Sequence, residues 1–120
     1  MTMKAQDKVP IKRESFFQDV YAVVAQVPYG RVTTYGAIAK FLSIESAARM
    51  VGYALNHSHY LSPPIPAHRV VNRNGLLTGK HHFATLTLMQ ERLEAEGVRV
   101  ENDRVQNFDA LFWDPKVEPI

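Results

Sequence analysis

Thr33 to Asn56 reads TTYGAIAKFLSIESAARMVGYALN, two short helical stretches separated by Ser43-Ile44-Glu45. A hydroxyl at Thr33 or Thr34 can satisfy a free first-turn amide, so either residue caps a helix running to about Leu42. Ser43-Ile44-Glu45 makes a tight connection, and Ser43 is a candidate cap for the next helix, about Glu45 to Asn56. That helix buries Ala47 or Ala48, Val51, Ala54 and Leu55 at helical spacing. Two short helices joined this tightly form a helix-turn-helix signature.

Outward from this pair the pattern stays helical. Upstream, Phe16, Phe17, Val20, Val23, Val24 and Val27 line one face of a helix from Arg13 to Val27, which Pro28-Tyr29-Gly30 ends. Downstream, Pro63-Pro64 and Pro66 make 57–66 an irregular loop. His68 to Asn72 reads as extended, and Asn74-Gly75 as a tight reversal before Leu76-Leu77. A last helix is expected from about Phe83 to Glu96, with Leu86, Met89 and Leu93 inward and Gly97 stopping it. Val98 to Val100 and Val105 to Trp113 read as extended or irregular closing segments. The fold class is therefore mostly α. Residues 13–120 form a single helical domain with a winged-helix-like helix-turn-helix and a short β element, preceded by a mobile arm over 1–12.

At 120 residues the chain is expected to form one compact domain around one core. No apolar run approaches the roughly 20 residues of a membrane-spanning helix, and the first ten residues lack the apolar stretch of a signal peptide. A cytoplasmic protein with no membrane partner is the plain reading. The sequence has no cysteine, which excludes disulfides, a thiolate metal site and a thiol nucleophile. The net charge of +2 hints only weakly at polyanion binding. His57, His59, His81 and His82 offer ring nitrogens, but without tetrahedral spacing or a cysteine or carboxylate partner, so no metal is expected.

Two constellations carry the functional signal. Arg49 lies inside the third helix, with Glu45, Ser46, Gly52 and Tyr53 on nearby turns and the small Ala48 and Gly52 flanking it. It reads either as an arginine on a solvated face or as one entering a DNA groove. Tyr35 reads either as a half-buried core aromatic or as a phosphate contact. The second constellation is Pro64-Ile65-Pro66-Ala67-His68-Arg69-Val70-Val71-Asn72. Prolines on both sides of Ile65 fix the backbone into Ala67, which suits a pocket floor. Equally, His68 is a candidate core histidine with both ring nitrogens bonded, and Arg69 a candidate partner for a carboxylate.

Taken in order, these segments resemble the C-terminal domain of the O6-alkylguanine-DNA alkyltransferases. The resemblance lies in residues 27–39 (VPYGRVTTYGAIA), 47–55 (AARMVGYAL), 65–71 (IPAHRVV), 75–79 (GLLTG) and 93–97 (LEAEG), and spans Phe16 to Val100. It implies DNA contacts from Thr34, Tyr35, Ala47, Ala48, Arg49 and Gly52. It also implies an alkylguanine pocket of Tyr35, Leu55, Pro66, Ala67, His68, Leu77, Thr78, Gly79 and Lys80. The family's acceptor cysteine is replaced by Ala67, leaving His68 and Glu96 as vestigial activating residues. Lys80, where the family commonly has tyrosine, would bring a cation to the flipped base. The sequence thus resembles the alkyltransferase-like proteins. That implies a non-enzymatic sensor that binds O6-alkylguanine in double-stranded DNA through the minor groove, flips the nucleotide and marks it for nucleotide-excision repair proteins. It would do so as a monomer and without a cofactor. The alternatives are a helix-turn-helix regulator without lesion specificity, and an enzyme using His68 as a base, for which no nucleophile or second catalytic carboxylate is evident.

Overall fold

The computed structural model describes residues 13–44 and 47–118. The arm expected over 1–12 lies outside them, as do Glu45 and Ser46. Helix α1 (Arg13–Val24) buries Phe16, Val20, Val23 and Val24. It stops short of the expected Val27. The last turn tightens into bonds from Gln26 N to Val23 O and from Val27 N to Val24 O, because the residue before Pro28 is pushed out of the helical region. Gly30, at φ +78°, completes the turn.

Strand β1 (Thr33–Thr34) feeds directly into helix α2 (Tyr35–Phe41). Thr34 is the cap, its Oγ1 accepting from Ala37 N at 3.0 Å. The far end of α2 corrects the expected role of Ser43. That residue adopts φ 62°, and bonds from Ser43 N to Lys40 O and from Ile44 N to Ala39 O close a Schellman motif. Ser43 therefore ends one helix instead of capping the next. Helix α3 (Ala48–Asn56) begins with Ala47 at its cap position and no side-chain cap bond. It buries Val51, Ala54 and Leu55, and α2, α3 and α1 pack together.

After the 3-10 turns Ser58–Tyr60 and Ala67–Arg69, strand β2 (Val70–Val71) lies parallel to β1, pairing Thr33 with Val70 and Thr34 with Val71. The extended segment expected over His68–Asn72 shrinks to these two residues. They matter because successive strand side chains face opposite ways. Val70 joins the core around α1–α3, while Val71 joins a second cluster with Val32, Leu77, Met89, Leu93 and Val98. In place of the one core expected, two clusters meet across this strand, with Phe83 packed against both.

A 3-10 turn (Thr78–His82) follows the Asn72–Gly75 reversal, where Gly75 has φ +81° as expected for that turn. Helix α4 (Leu88–Ala95) is shorter than the expected Phe83–Glu96. Met89 and Leu93 are buried as expected, but Leu86 is 60% exposed. Phe83 supplies the inward apolar group before the helix starts. Thr87 precedes the helix, its hydroxyl bonded to Glu91 at 2.7 Å. Gly97 (φ +86°) ends α4 in a second Schellman motif, with Val98 N donating to Leu93 O. Strands β3 (Val100–Glu101) and β4 (Arg104–Val105) form a hairpin through Asn102 and Asp103, both at positive φ. Helix α5 (Phe108–Leu111) and the buried Trp113 then close the chain against Val32.

Candidate nucleic-acid interface

The outer face of α3 follows from its inner one. With Ala47, Val51, Ala54 and Leu55 turned inward, Ala48, Arg49, Gly52, Tyr53 and Asn56 recur at the spacing of a single opposite stripe. That stripe forms one wall of a groove of about 380 Å³, with Tyr35 from α2 at its base and Thr78, Gly79 and His82 from the 3-10 turn opposite. Arg49 is exposed and makes no ion pair with any described residue. Tyr35 is half-buried against the core. Burial pushes its hydroxyl pKa up, partly opposed by the Thr78 side chain. The approach of the two walls is close. A Cβ on Gly79 would lie 3.0 Å from the Tyr35 hydroxyl, and one on Gly52 would lie 4.0 Å from the Tyr35 ring.

Of the residues expected to touch DNA, Tyr35, Ala48, Arg49 and Gly52 line this groove. Thr34 is buried with its hydroxyl committed to the cap, and Ala47 is buried in the core. Of the expected pocket, Tyr35, Thr78 and Gly79 line the groove. Leu55 and Ala67 pack in the first core cluster and Leu77 in the second. Pro66 and His68 border a different depression, with Ile65, Arg69 and Arg92. The Lys80 ammonium is paired with the Asp103 carboxylate at 2.5 Å, so its charge is already answered within the fold. Tyr53, Asn56 and His82 were not among the expected residues. The helical period that placed Arg49 also places Tyr53 four residues on, and Asn56 four beyond Gly52. Only His82, which comes from a turn, had no such signal.

A second centre is built on Glu96, whose side chain is 8% exposed. Its Oε2 accepts from His68 Nε2 at 2.7 Å and from Arg69 Nη2 at 2.7 Å. Its Oε1 accepts from Gly30 N at 3.0 Å and from Arg69 Nε at 2.9 Å. Arg69 Nη1 continues to Val27 O at 2.8 Å, and its guanidinium lies 5.7 Å from the Tyr29 ring centre. Burial alone would raise the Glu96 pKa; Arg69, Gly30 N–H and His68 override it and hold it at about 2. Burial pushes His68 down, against the pull of Glu96 and with help from the charges of Arg69 and Arg92. The imidazole is therefore neutral at pH 7. Because a carboxylate only accepts, its proton sits on Nε2 and Nδ1 carries the lone pair. Nδ1 is buried with no partner among the described residues, so only one of the two ring bonds expected of a core histidine is made. Arg69 does pair with a carboxylate. Among the described residues no group of three or more His, Cys, Asp or Glu side chains is placed to hold a metal.

Fold and groove together define a helix-turn-helix domain. The family 6-O-methylguanine DNA methyltransferase, DNA binding domain, matches residues 15–98. Alkyltransferase-like protein 1 of Schizosaccharomyces pombe is 38% identical over 109 residues, covering 88% of this chain and 100% of that protein. The DNA base-flipping protein of Escherichia coli strain K12 is 39% identical over 110 residues, covering 90% and 81%. The crystal structure of S. pombe Atl1 in complex with damaged DNA containing O6-carboxymethylguanine superposes with a TM-score of 0.76 at 34% identity, covering 88% of this chain and 100% of that one. The chain belongs to this family as an alkyltransferase-like member, with alanine at position 67 and no cysteine in its sequence.

Proposed function

We propose that this chain binds double-stranded DNA carrying O6-alkylguanine, flips the damaged nucleotide and holds it without transferring the alkyl group. The observation that carries the reading is the groove, where an exposed arginine free of ion pairs with described residues stands between small side chains at the start of α3. An O6-alkylguanine pairs poorly, so extruding it costs less than extruding guanine. Arg49 then fills the gap in the stack, Ala48 and Gly52 let the helix backbone approach a minor-groove floor, and Tyr35 presses on the flanking phosphate. The Escherichia coli relative is named for base flipping, and the Schizosaccharomyces pombe relative was crystallised with damaged DNA, which supports the same reading here.

Alkyl transfer requires a polarisable nucleophile, and position 67 offers a methyl group. With no thiol in the sequence the protein acts as a binder and not an enzyme. A bound lesion then has to be removed by another activity, for which nucleotide-excision repair proteins are the natural partners. No helix among the described residues is long and apolar enough to cross a membrane. The test is direct binding to matched duplexes with and without one O6-methylguanine, followed by mass analysis of both components. Preferential binding with lesion and protein mass unchanged is expected. Equal binding would leave a helix-turn-helix protein without lesion specificity, and a methylated protein would overturn the non-enzymatic reading.

A further inference from the structure

Tyr53 is the one large aromatic side chain on the outer stripe of α3. It is 43% exposed and lines the groove one helical turn beyond Arg49. Its hydroxyl bonds to no described residue. The contrast with other tyrosines is informative. The Tyr21 hydroxyl donates to Ala54 O at 2.9 Å, the Tyr29 hydroxyl to Ala95 O at 3.0 Å, and Tyr35 is half-buried beside Thr78. These groups are used by the fold, while Tyr60, 89% exposed, lies outside the groove. Tyr53 instead presents a flat ring with a free donor inside a groove otherwise walled on this helix by Ala48, Gly52, Arg49 and Asn56.

The geometry points to Tyr53 as a reader of the base pair beside the lesion, a role that rests on the lesion-binding reading above. Four residues along an α-helix advance about 6 Å, and successive base pairs lie about 3.4 Å apart. With Arg49 in the stack, the Tyr53 hydroxyl reaches the minor-groove floor one to two base pairs away. A·T and T·A pairs present only acceptors there, the adenine N3 and thymine O2, to which a phenol donates. A G·C pair adds the guanine N2 amino group, which projects from the groove floor and keeps the ring from bringing its hydroxyl down to the acceptors beneath. Tyr53 therefore favours A·T next to the damaged base and discriminates against G·C.

The experiment measures affinity for duplexes with one O6-methylguanine, flanked at the first and second positions by A·T, G·C or inosine·C pairs. Inosine lacks the amino group, so its minor-groove edge resembles that of A·T. The parent protein is expected to bind the A·T and inosine·C contexts about three- to tenfold more tightly than G·C, the scale of one hydrogen bond. Tyr53→Phe should lose that difference while keeping its preference for methylated over unmodified DNA. Tyr53→Ala should weaken binding in every context. A parent protein indifferent to the flanking pair, or a Tyr53→Phe protein that keeps the preference, overturns the proposal. Loss of discrimination between methylated and unmodified duplexes in the parent would instead overturn the lesion-binding reading, so the two failures are distinct.

Discussion

Replacing Glu96 by Gln tests the buried knot behind the groove. The carboxylate accepts from the Arg69 guanidinium, His68 Nε2 and Gly30 N, and these partners hold its pKa at about 2 against an ordinary value of 4.5. That displacement corresponds to about 3 kcal/mol of preference for the charged form at neutral pH. Glutamine keeps the shape and one acceptor but turns an amide N–H₂ toward groups that are already donors. His68 can answer by moving its proton to Nδ1, whereas Arg69, whose side chain is only 15% exposed, cannot give up its charge. We expect Glu96→Gln to cost about 2–4 kcal/mol, read as a lower urea midpoint at pH 7 with an unchanged slope. Arg69→Met combined with Glu96→Gln should cost less than the two changes summed, because the second removes a charge the first left unpaired.

The same residue gives a pH signature of known sign. The folded carboxyl has the lower pKa, so its stabilisation is complete above about pH 4.5 and is lost as pH falls toward 2. The gap between parent and Glu96→Gln should therefore narrow across that window, after widening slightly as pH falls from 6.5, because Glu96 holds the His68 pKa up and its loss lets that pKa drop further. His68 adds a loss that starts earlier. Its folded pKa lies below the ordinary 6.5, so the unfolded chain takes up that proton first as the solution acidifies. A Glu96→Gln protein within about 0.5 kcal/mol of the parent at pH 7, the scatter of an ordinary surface change, would refute the reasoning. So would a gap that widens below pH 4.5.

Other changes separate the groove from the scaffold. Arg49→Ala should weaken lesion binding by about 1–3 kcal/mol with Arg49→Lys recovering only part of it, since an ammonium has no planar face to stack; equal affinity of all three by fluorescence anisotropy would exclude a finger role. Gly79→Ala puts a methyl 3.0 Å from the Tyr35 hydroxyl and should lower lesion affinity with little change in melting temperature; unchanged affinity would remove this contact from the site. Ala67→Cys puts a thiol next in sequence to a histidine whose Nδ1 has no partner among the described residues, so incubation with O6-methylguanine DNA should yield a singly methylated protein and restored guanine. A folded, lesion-binding Ala67→Cys protein that stays unmodified would show that the His68–Glu96 pair is not placed to activate it.

How far the sequence spoke depended on the range of each interaction. The stripe on α3 was legible because it rests on a local period, and the Thr34 cap because hydroxyl and amide are three residues apart. The roles of Ser43 and Leu86 were misread for the opposite reason. A serine before a helical pattern is an acceptable cap, yet backbone bonds from Ser43 and Ile44 back to α2 claimed it first. Leu86 fits the period of a helix from Phe83, but that helix starts at Leu88 and Phe83 takes the interior place. The pairing of Lys80 with Asp103 spans 23 residues, and no local pattern announces it.

The longest-range feature also changes what His68 and Glu96 imply. Read beside an alanine at position 67, they look like the remains of an activating relay with nothing left to activate. The structure gives Glu96 work that needs no thiol. It binds the N–H of Gly30, 66 residues away, in a turn that only a residue tolerant of φ +78° adopts without strain. It also holds Arg69, which reaches on to Val27 O at the end of α1. One carboxylate thus ties the C-terminal end of α4 to the turn before β1 and to the 3-10 turn before β2. Those two strands lead into α2 on one side and toward the Thr78–His82 turn on the other, the elements that form the groove. Loss of Glu96 would therefore loosen the groove whether or not position 67 takes part in any chemistry. The presence of this pair is evidence about architecture, and only Ala67→Cys can ask whether it is still evidence about reactivity.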